Sequence, residues 1–276
     1  MGSTLPEAGA SFRLMDELPD IDRGAGTAVV FAHGMGFDCR LFEPQAESLS
    51  RDFRTIAYNL RAHSARAATP YTLYDLVGDF IALLDERRID RCVLVGMSMG
   101  GYMAVRAALI VPDRLHAIVL IGASAVPFPA NDVTPWRVEA ERWRAQAVLG
   151  PAQGRADAEQ NFSRLTMKRN PELIALWAQR IAGRSGAASY CEFLSWAHQD
   201  DVREVFSRTK VPCLLIHGQD DAAVPLAHAL ETHQLQPSAR LLVLPYGGHA
   251  ANLEYPDTVN EAIRSFCAAT ITPSER

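Results

Sequence analysis

The chain has 276 residues, of which 48% are hydrophobic and 21% are charged, and its formal net charge is −5. These values are typical of a globular protein with a substantial core, and without long runs of one charge they argue against a nucleic-acid partner. No apolar run approaches the ~18 residues that a membrane-spanning helix requires, so no membrane partner is expected.

The first segment of the chain, MGSTLPEAGASF, lacks the basic and apolar regions of a secretory signal peptide. The cysteines are odd in number and form no Cys-x-x-Cys pair, and Cys92 and Cys213 lie within apolar runs. Such residues are expected to be buried free thiols in a reducing compartment. The sequence therefore predicts a cytoplasmic protein.

Short apolar runs predict the strands of the fold. They do not alternate polar and apolar residues, which indicates strands buried on both faces of a parallel sheet. In chain order they are TAVVFAH from Thr27, FRTIAY from Phe53, RCVLVG from Arg91, AIVLIG from Ala117, CLLIHG from Cys213 and LLVLP from Leu241. Helical segments separate them, so we expect a doubly wound α/β fold with a mostly parallel sheet.

Two of the predicted core helices carry clear boundary signals. TLYDLVGDFIALLDERR places its apolar side chains on one face, and Thr72 and Asp75 have the spacing of a capping box at its start. In the last predicted helix, PDTVNEAIRSF, Pro256 occupies a first-turn position. Helices of this kind are expected to cover the sheet.

Residues 126–208 interrupt the alternation of strands and helices. This stretch has no strand signal and is far longer than the ~12–15 residues of an unstructured loop. Asn170 and Pro171 open an amphipathic segment that Gly183 ends, and Thr134 and Pro135 open another. We therefore expect a helical cap insertion at 126–208, between two parts of an α/β core at 1–125 and 209–276.

The sequence GMSMG, residues 96–100, predicts a sharp strand-to-helix turn that carries a nucleophile. A serine hydroxyl must stand clear of the sheet to attack a carbonyl, and such a turn achieves this with a strained serine backbone. Gly96 and Gly100 relieve the crowding around Ser98. The alternative is a tight turn in which Ser98 only caps the following helix.

A serine nucleophile on this turn requires an acid and then a histidine after later strands. HGQDDAAVP supplies Asp220 and Asp221 after the strand that begins at Cys213. PYGGHAANLE supplies His249 after the last strand, in a loop with two preceding glycines. The order Ser, Asp, His and the positions after strands therefore predict a catalytic triad.

In FAHGMGFD, GMSMGG, HGQDDAAVP and YGGHAANLEYP, taken in this order, the chain resembles the α/β-hydrolase superfamily. It is similar to serine esterases and lactonases of that superfamily, such as 3-oxoadipate enol-lactonase and carboxylesterases. The resemblance implies that Ser98 is the nucleophile and His249 the base. The pattern Gly-x-x-Asp-x-x-Val-Pro implies that Asp221, rather than Asp220, orients the histidine.

The same resemblance assigns a function to the loop HGMG, residues 33–36. It implies that the backbone N–H groups of Met35 and Met99 form the oxyanion hole. His33 and His63 are expected to be structural residues that brace loops through ring hydrogen bonds. Glu254 is expected to anchor the histidine loop. The chemistry requires no metal and no organic cofactor, and no clustered Cys/His spacing suggests one.

One segment departs from the family pattern. Members commonly have Asp-x-x-Gly-x-Gly after the second strand, where this chain has Asn59, Ala62 and Ser64. The departure leaves the triad residues unchanged, and we expect it to alter a loop near the mouth of the pocket.

The expected reaction is hydrolysis of a small-molecule ester or lactone. Several aromatic residues of the insertion are expected to form its core or to line the pocket, with substrate contact predicted for Phe128, Trp136, Trp143, Trp177 and Trp196. The insertion's charges nearly cancel, which disfavours a strongly anionic substrate. We therefore expect a medium-sized, largely apolar or aromatic substrate.

Other functions on this fold remain open. A serine at the nucleophile position disfavours dehalogenases and epoxide hydrolases, because relatives with those activities have aspartate there. Cofactor-free perhydrolases, acyltransferases and carbon–carbon bond hydrolases keep the serine, so the sequence permits them. A ligand receptor with little turnover also keeps these motifs. The sequence does not predict an oligomeric state.

Overall fold

The computed structural model describes residues 18–271, so the segment MGSTLPEAGASF lies outside the described residues. Seven strands form one sheet in the order β1-β3-β2-β4-β5-β6-β7. Only β1 runs antiparallel to its neighbour in this sheet. The strands are Ile21–Arg23 (β1), Ala28–Ala32 (β2), Arg54–Tyr58 (β3), Cys92–Met97 (β4), Leu115–Ile121 (β5), Cys213–Gly218 (β6) and Arg240–Leu244 (β7). The predicted doubly wound α/β fold is confirmed.

The central strands are buried along their whole length. Every residue of β2, β4, β5 and β6 is buried, because helices cover both faces of a parallel sheet. The continuous apolar runs therefore identified these strands correctly. Strand β1 was missed, since it has only three residues, Ile-Asp-Arg, two of which are charged, and it lies at the edge of the sheet.

Helices fill the connections between the strands. In the described chain they are Glu43–Leu49 (α1), Leu73–Glu86 (α2), Met99–Ile110 (α3), Ala130–Arg144 (α4), Gly150–Asn161 (α5), Arg164–Arg169 (α6), Pro171–Ala182 (α7), Gly186–Ala197 (α8), Arg203–Phe206 (α9), Leu226–Leu235 (α10), Ala251–Glu254 (α11) and Pro256–Thr270 (α12). The capping box at the start of α2 is confirmed, because Thr72 and Asp75 exchange side-chain and backbone hydrogen bonds. Helix α12 begins at Pro256 as predicted.

Helices α4 to α9 lie between β5 and β6, and within the described range no strand interrupts them. Helix α7 has the predicted boundaries, with the Asn170 side chain capping its start and Gly183 following its end. The predicted start of α4 is wrong. That helix begins at Ala130, because the carbonyl of Pro129 accepts the first N–H groups. Pro135 lies inside the helix, where it removes one backbone hydrogen bond.

The order of the strands brings two loops together. Strand β2 lies between β3 and β4 in the sheet. The chain therefore places β3 on one side of β2 and β4 on the other, so the strand order reverses at β2. Loops that follow the strands on either side of such a reversal form a crevice at the carboxyl end of the sheet. The loop after β2 and the turn after β4 therefore meet there.

The cysteines agree with the expectation of buried free thiols. All five cysteines are free and buried. Within residues 18–271, the helices lack the combination of length and hydropathy needed to cross a bilayer.

Candidate active site

Ser98 occupies a strained turn between β4 and α3. Its backbone has φ +50° and ψ −120°, and its N–H donates to the carbonyl of Ile121 at 2.9 Å. A Cβ at Gly96 would lie 2.3 Å from the carbonyl oxygen of Gly100, and one at Gly100 would lie 2.2 Å from that of Ala32. Only glycine fits at these two flanking positions. The Ser98 side chain does not cap α3, so the capping alternative is not supported.

A buried carboxylate orients the histidine. His249 Nδ1 lies 2.8 Å from Asp221 Oδ2. Asp221 Oδ1 accepts the N–H groups of Ala223 at 2.9 Å and Val224 at 2.8 Å. Burial opposes ionisation of Asp221, but the His249 and His217 rings and these N–H groups hold its pKa below the usual value. Because the carboxylate only accepts, Nδ1 carries the proton and His249 Nε2 is left as an acceptor.

Ser98, His249 and Met35 lie on the wall of one cavity of about 350 Å³. Helices α4, α5 and α8 supply much of the remaining wall. Within the described range, no hydrogen bond joins Ser98 Oγ to His249 Nε2. Catalytic hydrogen bonds of this kind are often long in unliganded enzymes and shorten when substrate binds. Asp220, the other candidate acid, is exposed.

The buried His33 and the half-buried His63 hold the loop after β2. The ring of His33 accepts the N–H of Leu60 at Nε2, at 3.0 Å, and donates from Nδ1 to the carbonyl of Gly34 at 2.8 Å. His63 Nε2 donates to the carbonyl of Phe37 at 2.8 Å. Burial lowers the pKa of His33 to about 3 and that of His63 to about 4. Both rings are neutral braces at physiological pH, in the arrangement expected from the sequence.

A buried ion pair also contacts this loop, and sequence reasoning missed it. Glu192 Oε2 lies 2.6 Å from Arg184 and accepts the N–H of Gly36 at 3.1 Å. Arg184 also donates to the carbonyl of Phe37 at 3.1 Å. The only sequence signal is a glutamate within the apolar segment SYCEFLSW. The pair links α8 to the loop that carries Met35.

Glu254 contacts the loop of His249. Its carboxylate accepts the N–H of Gly248 at 2.9 Å and the hydroxyl groups of Ser163 and Thr166. The glutamate therefore holds the loop on one side and the start of α6 on the other. This is the anchoring contact that the sequence predicted, with unforeseen second partners in the helical segment between β5 and β6.

The structure separates the predicted pocket aromatics into two groups. Trp136, Trp143 and Trp196 lie on the cavity wall. Phe128 and Trp177 are not among the described residues of that wall. Phe128 packs against Trp136 and Trp196, and Trp177 packs against the loop after β2. Amphipathic helices bury aromatic residues in their own core, which the sequence pattern could not distinguish from pocket lining.

In the segment that departs from the family pattern, the side chain of Asn59 makes structural hydrogen bonds. Asn59 Oδ1 accepts the N–H of Cys39 at 3.1 Å, and its Nδ2 donates to the carbonyl of Leu18 at 2.7 Å. In the described chain, Asn59, Ala62 and Ser64 do not line the cavity. Asn59 thus ties β3 to neighbouring loops.

The strained serine, the histidine and carboxylate pair and the sheet topology define the class to which the chain belongs. Residues 29–262 match the alpha/beta hydrolase family, and the chain is a member of it and a hydrolase. It is 28% identical over 246 residues to RutD of Pseudomonas syringae, whose name designates a carbamate hydrolase, covering 86% of this chain and 92% of that protein. The 3-oxoadipate enol-lactonase 2 of Acinetobacter baylyi is 27% identical over 242 residues, covering 86% and 87%.

Solved structures show the same similarity. A thermophilic esterase from Thermogutta terrifontis superposes with a TM-score of 0.85 and 27% identity, over 92% of this chain and 94% of the esterase. The names of these three relatives describe hydrolysis of carbamate, lactone and ester bonds, all of which are acyl bonds to oxygen or nitrogen.

Proposed function

We propose that the protein is a serine hydrolase that cleaves a carboxylic ester or lactone of a medium-sized, largely apolar small molecule. The observation that carries the proposal is the 2.8 Å contact between Asp221 and His249, with His249 on the wall of the same cavity as Ser98, a serine with φ +50°. A buried carboxylate that fixes the imidazole tautomer is what a base for a serine nucleophile requires. Relatives named for ester and lactone hydrolysis support the same reaction class.

In the first half of the reaction, Ser98 Oγ attacks the carbonyl carbon and its proton passes to His249 Nε2. Asp221 stabilises the resulting imidazolium. The carbonyl oxygen becomes an oxyanion, which the N–H groups of Met35 and Met99 stabilise. Met99 is the first residue of α3, so its N–H has no acceptor within the helix and the helix dipole favours negative charge there.

In the second half, the acyl-enzyme forms and breaks down. His249 gives its proton to the leaving alkoxide oxygen as the tetrahedral intermediate collapses, and an acyl-enzyme on Ser98 remains. A water molecule then loses a proton to His249 and attacks the acyl carbon. Collapse of this second intermediate returns the proton to Ser98 and releases the acid.

Residues 126–208 form the cap in this proposal, and residues 1–125 and 209–276 form the hydrolase core. Cap residues Trp136, Trp143 and Trp196 contact the substrate. Their position on the cavity wall supports this assignment. An aromatic wall also favours apolar substrate groups.

The proposal is tested by covalent labelling. A fluorophosphonate should add one phosphonyl group to the intact protein, located on Ser98 by peptide mapping, while Ser98→Ala should remain unlabelled. The parent should hydrolyse p-nitrophenyl acetate, and Ser98→Ala should not. Activity of Ser98→Ala equal to that of the parent would refute the assignment of the nucleophile.

The same assays separate the alternative functions. Labelling of Ser98 with negligible turnover of esters would favour a ligand receptor. Formation of a new ester in the presence of an added alcohol, or of a peracid in the presence of peroxide, would favour an acyltransferase or a perhydrolase. Exclusive formation of the free acid supports hydrolysis.

A further inference from the structure

Part of the cavity wall carries polar atoms that have no hydrogen-bond partner in the described chain. They are the indole N–H groups of Trp143 and Trp196, the hydroxyl of Ser189 and Oε1 of Glu192. Their residues are 9%, 6%, 4% and 0% exposed, respectively. Buried polar groups are nearly always paired in folded proteins, so four in one cavity wall require an explanation. We call these four residues the polar wall.

The polar wall combines two kinds of group. An indole N–H only donates a hydrogen bond, whereas a carboxylate oxygen only accepts one. Glu192 uses its other oxygen for Arg184 and the N–H of Gly36, and its Oε1 has no hydrogen-bond partner in the described chain. A ligand group that satisfies the wall must therefore both donate and accept.

The charges of the residues that line the cavity also disfavour an anionic ligand group. Glu139, Asp157 and Glu192 line the cavity, and no lysine or arginine of the described chain does. Arg142 pairs with Glu139 and Arg184 with Glu192, so Asp157 is the lining carboxylate of the described chain whose charge no ion pair balances. Asp157 has the amide of Gln153, rather than a cation, as its partner at 2.7 Å. Burial raises the pKa of Asp157 to about 6, so at pH 8 this carboxylate adds negative charge to the wall. A carboxylate on the substrate would be repelled there.

We propose that the polar wall binds a neutral substrate group that donates and accepts hydrogen bonds, such as a hydroxyl or an amide, and that it discriminates against a carboxylate. This inference rests on the proposed function and specifies its substrate class. This group is distinct from the scissile carbonyl, whose oxygen the oxyanion donors bind. The substrate is thus an ester or lactone with an apolar chain and one further polar group.

The test uses three methyl esters of matched length: methyl heptanoate, methyl 6-hydroxyhexanoate and monomethyl adipate. They place a methyl, a hydroxyl and a carboxylate at the same distance from the ester. A pH-stat at pH 8 gives kcat/KM for each. We expect the hydroxy ester to exceed the heptanoate by at least ~10-fold, because polar sites strongly reject analogues that leave them unpaired. We expect monomethyl adipate to be the poorest substrate.

Variants assign the preference to the wall. Trp143→Phe and Trp196→Phe keep aromatic rings but remove the N–H donors. In the double variant, the ratio of kcat/KM for the hydroxy ester to that for the heptanoate should fall several-fold, because two of the four polar groups are removed. Trp177→Phe is the matched control, because Trp177 is buried outside the cavity wall, and it should keep the parent ratio. The ratio does not depend on how much of each preparation is active.

A further variant tests the effect of the negative charge of Asp157 on the choice of substrate. Asp157→Asn should raise kcat/KM for monomethyl adipate relative to both other esters. Equal efficiency for the hydroxy and methyl termini in the parent, an unchanged ratio in the tryptophan double variant, or a preference for the adipate would overturn the inference.

Labelling distinguishes this failure from failure of the proposed function. If fluorophosphonate does not label Ser98, the proposed function is refuted and this inference with it. If Ser98 is labelled and p-nitrophenyl acetate is hydrolysed, but the three esters are hydrolysed equally or not at all, only the inferred substrate class is refuted.

Discussion

Replacing Asp221 with asparagine should leave the loop folded but place the proton of His249 on the wrong nitrogen. The N–H groups of Ala223 and Val224 point at Oδ1 from 2.9 and 2.8 Å, so the amide oxygen must take that position. The amide NH₂ group then faces His249 Nδ1, 2.8 Å away in the parent. Because the NH₂ group donates, Nδ1 must accept, and the ring proton moves to Nε2.

An imidazole protonated at Nε2 has no acceptor for the Ser98 proton. In a triad, this change of tautomer lowers kcat by ~10⁴-fold, which corresponds to about 5.5 kcal/mol of activation free energy. The assay is the steady-state hydrolysis of p-nitrophenyl acetate by the parent and Asp221→Asn. Thermal unfolding of both proteins checks that the loop and the fold are retained.

Asp220→Asn is the matched control. Asp220 is adjacent but exposed, so its replacement should change kcat by no more than about twofold. The reasoning is refuted if Asp221→Asn keeps more than about a tenth of the parent kcat, or if Asp220→Asn loses as much activity as Asp221→Asn.

Three other substitutions test buried groups around the cavity. Burial raises the pKa of Asp157 from 3.8 to about 6. The native state is therefore destabilised as pH rises between these two values. Asp157→Asn should raise the free energy of unfolding by at most ~3 kcal/mol at pH 7.5, and it should not raise it at pH 4. Urea denaturation at both pH values measures this, and an equal gain at both would contradict it. A Cβ at Gly122 would lie 2.9 Å from His249 Nδ1, and Gly122 has φ +54°. Gly122→Ala should therefore displace the imidazole and lower kcat by ~100-fold. Near-parental turnover would show that the His249 ring is free to move. Arg184→Met leaves the carboxylate of Glu192 buried and unpaired and should lower the free energy of unfolding by ~3–5 kcal/mol. Adding Glu192→Leu should restore stability but not kcat, because the loop after β2 loses its anchor. Thermal melts measure the stability and steady-state kinetics measure kcat. Recovery of kcat together with stability would show that Arg184 and Glu192 have a purely structural role.

Much of the fold could be predicted because its signals are local. A strand buried on both faces must be apolar throughout, and β2, β4, β5 and β6 are. The relative positions of Ser98, Asp221 and His249 were also predictable in outline, since each follows a strand and parallel strands end at one edge. The capping box of α2 is similarly a matter of residues three apart.

The rest depends on contacts between distant parts of the chain. Glu192 reaches the N–H of Gly36 across 156 residues of sequence, and nothing near either residue indicates the pairing. The start of α4 was misplaced because a proline is tolerated inside that helix at the loss of one bond. Whether an aromatic residue of an amphipathic helix faces its own core or the cavity depends on the packing of several helices, as Trp177 and Trp143 illustrate.

The contacts of Glu254 constrain any exchange of insertions between members of the family. Its carboxylate accepts hydrogen bonds from Gly248, after β7, and from Ser163 and Thr166, in the helical segment between β5 and β6. A chimera that receives a foreign segment without these hydroxyls would leave the glutamate partly unsatisfied next to the loop of His249. Recombinants of this scaffold must therefore transplant the two hydroxyl residues with the new segment, or redesign position 254 at the same time.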